Sequence, residues 1–345
     1  MSSVLSMRPG FYDALKRLTA EVSGIRMGDN FKFIIETRLA PVARTEGYAS
    51  VVEMVDFMFK SGDSRLAIKM VAAMVERDTH FFHDRKSLTG LSDFVLPRLY
   101  EVYSSRPLEI LIIGSNSGQE AYSAAILADK LKQSRFADMT VEFTAVDYPS
   151  QALEKARSGR YTHFDVQRGL PIRDMISYFT RVGEDWIVSD TLRKQVTFKE
   201  SHLLRLPKSL GTYHAIICRD MFSRYQYKVR AKLVRSLTSH IKSQGYLIIG
   251  TDEHLPDTTH PWIESGGPEF IYRRAKTLEE IKAEKAAAYA MAKLLSPDPE
   301  RFFEEAEVKV TQASDQFKAD NLEEGVLTDS TLKDLRSMVL NKRNA

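Results

Sequence analysis

Apolar residues recur at steps of three and four along the first part of the chain, the spacing of amphipathic helices. Phe11, Leu15, Leu18 and Val22 share one face, and Val51, Val52, Val55, Phe57 and Met58 make another. Gly24, Gly28, Gly47 and the Ser61-Gly62-Asp63 turn separate these stretches. The pattern predicts a purely helical N-terminal domain over residues 1–89. A further helix, roughly Lys86 to Ser104, carries Phe94, Val95, Leu96, Leu99 and Val102.

The periodicity changes after Arg106-Pro107. Leu108 to Gly114 is a continuous apolar strand, Gly118 to Gln133 a helix, and Val141 to Asp147 a second strand followed by a helix from Ser150 to about Ser158. Apolar strands follow at His214–Cys218 and Tyr246–Gly250, with a helix around Tyr227–Ser243 between them. Strands alternating with helices predict an α/β domain over residues 90–275, a parallel sheet with helices on both faces. Trp186-Ile187-Val188 and Val196-Thr197-Phe198 read as an antiparallel insert at about residues 180–200. From Lys276 to Ala345 the pattern is a helical tail, in which Leu278, Ile281, Tyr289, Ala292 and Leu295 share a face before Pro297 and Pro299.

Composition narrows the functional classes. A net charge of +3 provides no global field for nucleic acid or for a membrane surface. No apolar run reaches the length of a membrane span, and the N-terminus lacks a signal-peptide pattern. The single Cys218 cannot form an intrachain disulfide. A cytoplasmic protein is expected.

Candidate chemistry begins where the first strand meets Gly114-Ser115-Asn116-Ser117-Gly118. Glycines there let the backbone approach a ligand, and the helix that follows offers free N–H groups. A tight turn in any α/β protein accounts for the same residues. The spacing is not the three-glycine dinucleotide fingerprint, which argues against a nicotinamide oxidoreductase. Asp147 ends the second strand, where a carboxylate either accepts ribose hydroxyls or caps a helix. Strand, glycine turn, helix, strand, acidic residue is an order shared by many S-adenosylmethionine (AdoMet) methyltransferases.

Further segments resemble one family. Gly118-Gln119-Glu120-Ala121-Tyr122-Ser123 is similar to G-E-E-P-Y-S, and Leu153-Glu154-Lys155-Ala156-Arg157-Ser158-Gly159-Arg160-Tyr161 to L-E-K-A-R-x-G-x-Y. Ile216-Ile217-Cys218-Arg219-Asp220-Met221 is similar to I-F-C-R-N-V, and Gly245 to Gly250 with Glu253 to G-G-x-L-x-x-G-x-S-E. These motifs, with Glu76 to Asp84, follow in order the pattern of the chemotaxis-receptor methyltransferase (CheR) family across roughly residues 10–275. The resemblance implies a helical domain packed on a class I, Rossmann-like AdoMet domain with a small antiparallel insert. It implies AdoMet as cofactor, glutamate side chains of a chemoreceptor or related signalling protein as acceptor, and no nucleic-acid partner or membrane insertion.

The resemblance also implies site positions. The family's N-x-T-x-F-F-R falls on Arg77, Thr79, Phe81, Phe82 and His83, so its Asn is Arg77 here and its Arg is His83. Gly114, Gly118 and Glu120 shape the cofactor cleft and Asp147 holds the ribose. The pair near the adenine falls on His202 and Leu203, the family's Asn-Val on Asp220 and Met221, and its following Tyr on Arg224. Arg77 would replace the charge lost at His83 and bind the methionyl carboxylate. Arg224 would orient the acceptor carboxylate, giving it and His83 the catalytic roles. Asp220 for Asn removes a hydrogen-bond donor. A glutamate carboxylate is ionised at neutral pH, so transfer needs alignment rather than a general base. These substitutions leave a second reading open, a degenerate relative acting as a binding or regulatory module.

Three residue groups have plainer readings. Phe81 and Phe82 are expected as core packing, Cys218 as a small buried hydrophobe, and His80 with His83 lack the partners of a metal site.

Overall fold

The computed structural model describes residues 9–28, 31–75, 79–104, 106–147, 151–256, 260–283 and 286–287. The chain divides into two compact units, Met1–Ala275 and Lys276–Ala345. In the second, residues 278–283 are helical, with Thr277 and Glu280 exchanging capping hydrogen bonds. Tyr289, Ala292 and Leu295 of the expected tail face lie outside the described residues.

The first unit begins with four helices: α1 (Pro9–Ser23), α2 (Phe31–Thr45), α3 (Val51–Ser61) and α4 (Ser64–Val75). Local chemistry sets their ends. Ser50 accepts from the Glu53 N–H to start α3, Gly62 at φ 66° closes it, and Asp63 accepts from Leu66 N–H to start α4. Leu15, Ile35, Leu39, Met54, Leu66 and Met70 fill a core belonging to these helices alone.

The expected helix at 86–104 is α5 (Arg85–Gly90) and α6 (Leu96–Tyr103), joined by a π-helical turn at Leu91–Val95. The chain then runs β1 (Leu108–Ile113), α7 (Gln119–Ser134), β2 (Val141–Asp147), α8 (Gln151–Ser158), β3 (Arg160–Thr162), α9 (His163–Gln167), α10 (Ile172–Tyr178), β4 (Phe179–Val182), β5 (Asp185–Val188), α11 (Asp190–Gln195) and β6 (Val196–Glu200). It ends with β7 (Tyr213–Ile217), α12 (Tyr227–Thr238), β8 (Ile241–Ile248), β9 (Trp262–Glu264) and β10 (Ile271–Arg274).

Seven strands form one sheet in the order β6-β2-β1-β7-β8-β10-β9, the first five parallel, β10 antiparallel to β8 and β9 antiparallel to β10. β1 and β7 are central and almost wholly buried, which is why, Glu109 and His214 apart, they read as apolar runs. The chain moves outward from β1 through β2 to β6, then returns to build β7 and β8 on the other side. That reversal opens a crevice at the carboxyl ends of β1 and β7, the place where parallel α/β sheets take ligands.

Two expectations are corrected. Val196-Thr197-Phe198 does not pair with Trp186–Val188: it belongs to β6, which runs parallel to β2, Phe143 opposite Val196. The small antiparallel sheet is β3-β5-β4, formed by residues 160–162 and 179–188. Short alternating runs carry no information on which neighbour they pair with, so only tertiary contacts separate the two strands. The helix expected to reach Ser243 stops at Thr238, and Ile241–Ser243 already belong to β8.

At the opposite end of the sheet, His214 is buried within a small charged cluster. Its Nδ1 accepts from the Glu109 N–H at 2.9 Å, and Lys242 Nζ stands 3.0 Å from Nε2 and 2.6 Å from Glu109 Oε2. Burial first, then the Lys242 ammonium, push His214 down to about 4. Its folded value lies below its unfolded one, so its contribution to stability is complete above pH 6.5 and is lost as pH falls towards 4. In urea titrations across this window the wild type should lose on the order of 2 kcal/mol more than His214→Gln, allowing for solvent around Glu109. Parallel pH profiles for the two proteins would contradict this account.

Candidate functional site

The cleft is built outward from the end of β1. Gly114 at φ 76°, Asn116 at φ 48° and Gly118 at φ 89° turn the backbone sharply. The Gly114 and Ser115 N–H groups fold it back onto the Val146 carbonyl of β2 at 2.8 and 3.2 Å. Asp147 Oδ2 accepts from the Asn116 N–H at 2.6 Å, so the carboxylate also holds the turn. At Gly118 a Cβ would stand 2.9 Å from Ala156 Cβ and 3.0 Å from Tyr161 Oη. Tyr161 donates to Ser117 O at 2.6 Å and Tyr122 to Ala156 O at 2.9 Å. Burial pushes Tyr161 well above the usual tyrosine value and Tyr122 up to about 12, so both hydroxyls keep donating at neutral pH. Gly118→Ala combines a left-handed φ with a steric overlap. It should lower the unfolding free energy by about 1–3 kcal/mol in a urea titration.

The second wall is the turn after α4. Phe82 at φ 53° and Asp84 at φ 41° are both left-handed. Phe81 is buried edge-on against Tyr161 and Phe179, at centroid separations of 5.0 and 5.4 Å. Gly169 lies so close beneath that a Cβ there would fall 1.9 Å from the Phe81 carbonyl oxygen. The Phe82 N–H donates to Ser123 Oγ on α7 at 3.0 Å.

Arg219, one residue past Cys218 at the end of β7, joins these walls. Only 1% of it is exposed. Its Nε donates to Glu120 Oε1 at 3.1 Å, Nη2 to His83 O at 2.7 Å, and Nη1 to Asp84 O at 3.0 Å and Ser87 Oγ at 3.4 Å. Asp84 accepts in turn from Thr251 N–H and Oγ1 at 2.9 and 3.1 Å. Buried Glu253 accepts from Asp220 N–H at 2.9 Å, Ser223 N–H at 2.8 Å and Gly250 N–H at 3.0 Å. Four of the five left-handed non-glycine residues among those described, Phe82, Asp84, Asn116 and Asp220, line this one cleft. Such conformations persist where surrounding bonds over-determine them, as these do.

The structure brings most of the expected positions together. Gly114, Gly118, Glu120 and Asp147 form one side; His83 belongs to the turn that Arg219 joins to Glu120, and Thr79 precedes that turn in the chain. His83 Nδ1 stands 3.4 Å from Asp220 Oδ2, so two positions that depart from the family pattern meet each other. Leu203 and Met221 are buried in the core of the α/β part, and His202 is an exposed turn residue whose Nδ1 accepts from Leu204 N–H. Arg224 Nη2 donates to Val75 O at 2.6 Å, which uses part of its fork to cap the end of α4. Arg77 lies outside the described residues.

Sequence reasoning gave no role to Arg219, Asp84, Glu253 or Tyr161. Arg219 carried a usable signal, a charge at the end of an otherwise apolar buried strand. Asp84, Tyr161 and Glu253 stand within the family motifs, but the bonds that define their roles reach Thr251, Ser117 and Asp220, far along the chain.

The cleft fits an adenosyl cofactor on its own features. Ser201, Asp147 and Ser115 stand at the carboxyl ends of three adjacent strands, β6, β2 and β1, with Ser201 N–H donating to Asp147 O at 2.8 Å. The Ser115 and Ser201 hydroxyls are buried and make no protein hydrogen bond, a costly arrangement that a polar ligand relieves. Among the described residues no His, Cys, Asp or Glu cluster suits a metal, and no helix is long and apolar enough to cross a membrane.

Comparison with known proteins agrees with this geometry. Residues 77–271, more than half of the chain, match the family described as CheR methyltransferase, SAM binding domain. A chemotaxis protein methyltransferase of Vibrio parahaemolyticus is 27% identical over 76% of this chain and 96% of that protein. One from Borreliella burgdorferi is 29% identical over 70% and 88%, and chemotaxis protein methyltransferase 1 of Pseudomonas aeruginosa is 26% identical over 76% and 97%. With S-adenosylmethionine as the cofactor of its α/β domain, the chain belongs to the CheR methyltransferase family.

Proposed function

We propose that this chain transfers a methyl group to a glutamate carboxylate of a chemoreceptor-type signalling protein. The observation that carries the reading is the pinned cleft, whose two walls meet on one buried guanidinium, that of Arg219. The three relatives named above, all chemotaxis protein methyltransferases, support the acceptor class.

S-adenosylmethionine, when bound, supplies a methyl group activated by its positive sulfur. The residues of this chain have to orient and desolvate the two partners. Asp147 would accept from the ribose hydroxyls. The turn at Gly114 to Gly118, with Glu120, shapes the adenosyl side, and His202 with Leu203 borders the base. Thr79, with Arg77 or His83, would hold the amino-acid end. Asp220 and Met221 would border the cofactor, and Arg224 would orient the acceptor carboxylate. No base is required, because an acceptor carboxylate is already ionised at neutral pH. Rate then follows alignment and exclusion of water.

The His83–Asp220 contact favours a second reading, binding without transfer, since each partner engages a group that would otherwise face the reactants. One experiment separates them. The chain is incubated with tritiated AdoMet and a receptor cytoplasmic fragment, and base-labile methanol release is counted beside calorimetric binding of S-adenosylhomocysteine. Release above that of an Asp147→Ala control supports transfer; cofactor binding with no release supports the regulatory module. No binding of either nucleoside would end the transfer reading. In the same assay, His83→Arg with Asp220→Asn should tighten S-adenosylhomocysteine binding about tenfold by returning a planar fork and a donor.

A further inference from the structure

A second concavity, of about 520 Å3, lies in the helical part of the first unit. Asp13, Lys16 and Arg17 line it from α1, spaced so that they share one helical face. Arg26, Met27 and Gln226 close the other side. Nothing in the methyl-transfer reading uses these residues.

The lining is strongly biased in charge. Three cations face one carboxylate, and among the described residues none of Lys16, Arg17 and Arg26 is in an ion pair. The Lys16 ammonium instead lies 4.6 Å over the Phe31 ring. Arg65 and Lys69, by contrast, both pair with Glu46. Unpaired cations grouped around a concavity repel one another and raise the local concentration of anions.

The far wall is held firmly. Arg26 N–H donates to Arg224 O at 2.9 Å, Gln226 N–H donates to Gly24 O at 3.0 Å, and Ile25 bridges Tyr225 between them. A site whose backbone is fixed before binding loses little conformational freedom when a ligand arrives.

From these features we infer that the cavity binds a small molecule carrying a polyphosphate chain, of the size of a nucleotide. Two guanidinium forks and an ammonium match phosphate oxygens in geometry as well as in charge. Three cations less one carboxylate leave a charge that suits a di- or triphosphate better than a single carboxylate. The volume falls in the range of small-molecule sites, and buried Met27 offers apolar surface to a base or sugar. This inference stands whether or not the chain transfers methyl groups.

Calorimetry on the full chain at low ionic strength tests it, with magnesium-free ATP, sodium tripolyphosphate and a glutamate-rich peptide as probes. Expected is one-site binding of ATP that Arg17→Ala and Arg26→Ala each weaken about tenfold. Saturating S-adenosylhomocysteine should leave that binding unchanged. Both arginines are exposed, and thermal melts check that the variants remain folded. The inference is overturned if ATP fails to bind by about 1 mM, if the substitutions leave its affinity unchanged, or if S-adenosylhomocysteine displaces it. It is equally overturned if tripolyphosphate or the peptide binds and ATP does not.

Discussion

Arg219→Met should destabilise the protein by about 3–5 kcal/mol in urea titrations and abolish measurable S-adenosylhomocysteine binding. The cause is the number of groups left behind. Glu120, largely buried, would keep a charge with no partner, the His83 carbonyl would lose the Arg219 donor, and the Asp84 carbonyl would be left with the Leu88 N–H alone. The turn carrying Phe82 and Asp84 in left-handed conformations would then lose part of what holds it against α7. Arg219→Lys keeps the charge but has no planar fork, so it can serve one of these acceptors well and not all of them. A double variant, Arg219→Met with Glu120→Leu, separates stability from binding. Removing both charges should restore part of the lost stability, because the unpaired carboxylate is gone. Cofactor affinity should stay lost, because the turn is still unpinned. If Arg219→Met binds S-adenosylhomocysteine as the wild type does, the two walls do not depend on this guanidinium and the account of the cleft fails.

Asp147→Ala should weaken S-adenosylhomocysteine binding about a hundredfold with little change in global stability. Two effects add. The variant removes the charged acceptor proposed for the ribose hydroxyls, and it removes the acceptor of the Asn116 N–H, which fixes the glycine turn. Asp147→Asn separates them: its carbonyl can still accept from Asn116, while the negative charge is gone. An affinity about tenfold below wild type for Asp147→Asn would assign the remaining loss to the ribose contact. Recovery to the wild-type value would mean that Asp147 acts through the turn alone. An Asp147→Ala variant that binds within about threefold of wild type would remove both roles.

Both predictions concern residues at strand ends, and these differ in how far they could be read beforehand. β1 and β7 announced themselves because a strand buried on both faces is predominantly apolar. Asp147 could be marked because a carboxylate closing such a strand is exceptional. Arg219 sat in an equally exceptional place, yet nothing local says that its guanidinium reaches Glu120, 99 positions earlier, and the turn at 83–84. Arg224 shows the opposite case. Its place in the motif suggested the acceptor, and folding brings the α4 terminus within its reach.

Periodicity, strand apolarity and turn glycines determined by themselves that this chain has a helical start and a parallel α/β core, because those signals act over a few residues. The order of motifs determined its kinship. Only the tertiary structure decided that Val196–Glu200 joins the main sheet, that His83 meets Asp220, and that Arg219 and Glu253 hold the cleft. Each of these depends on backbone groups and side chains distant in sequence, whose meeting is set by packing rather than by any local preference.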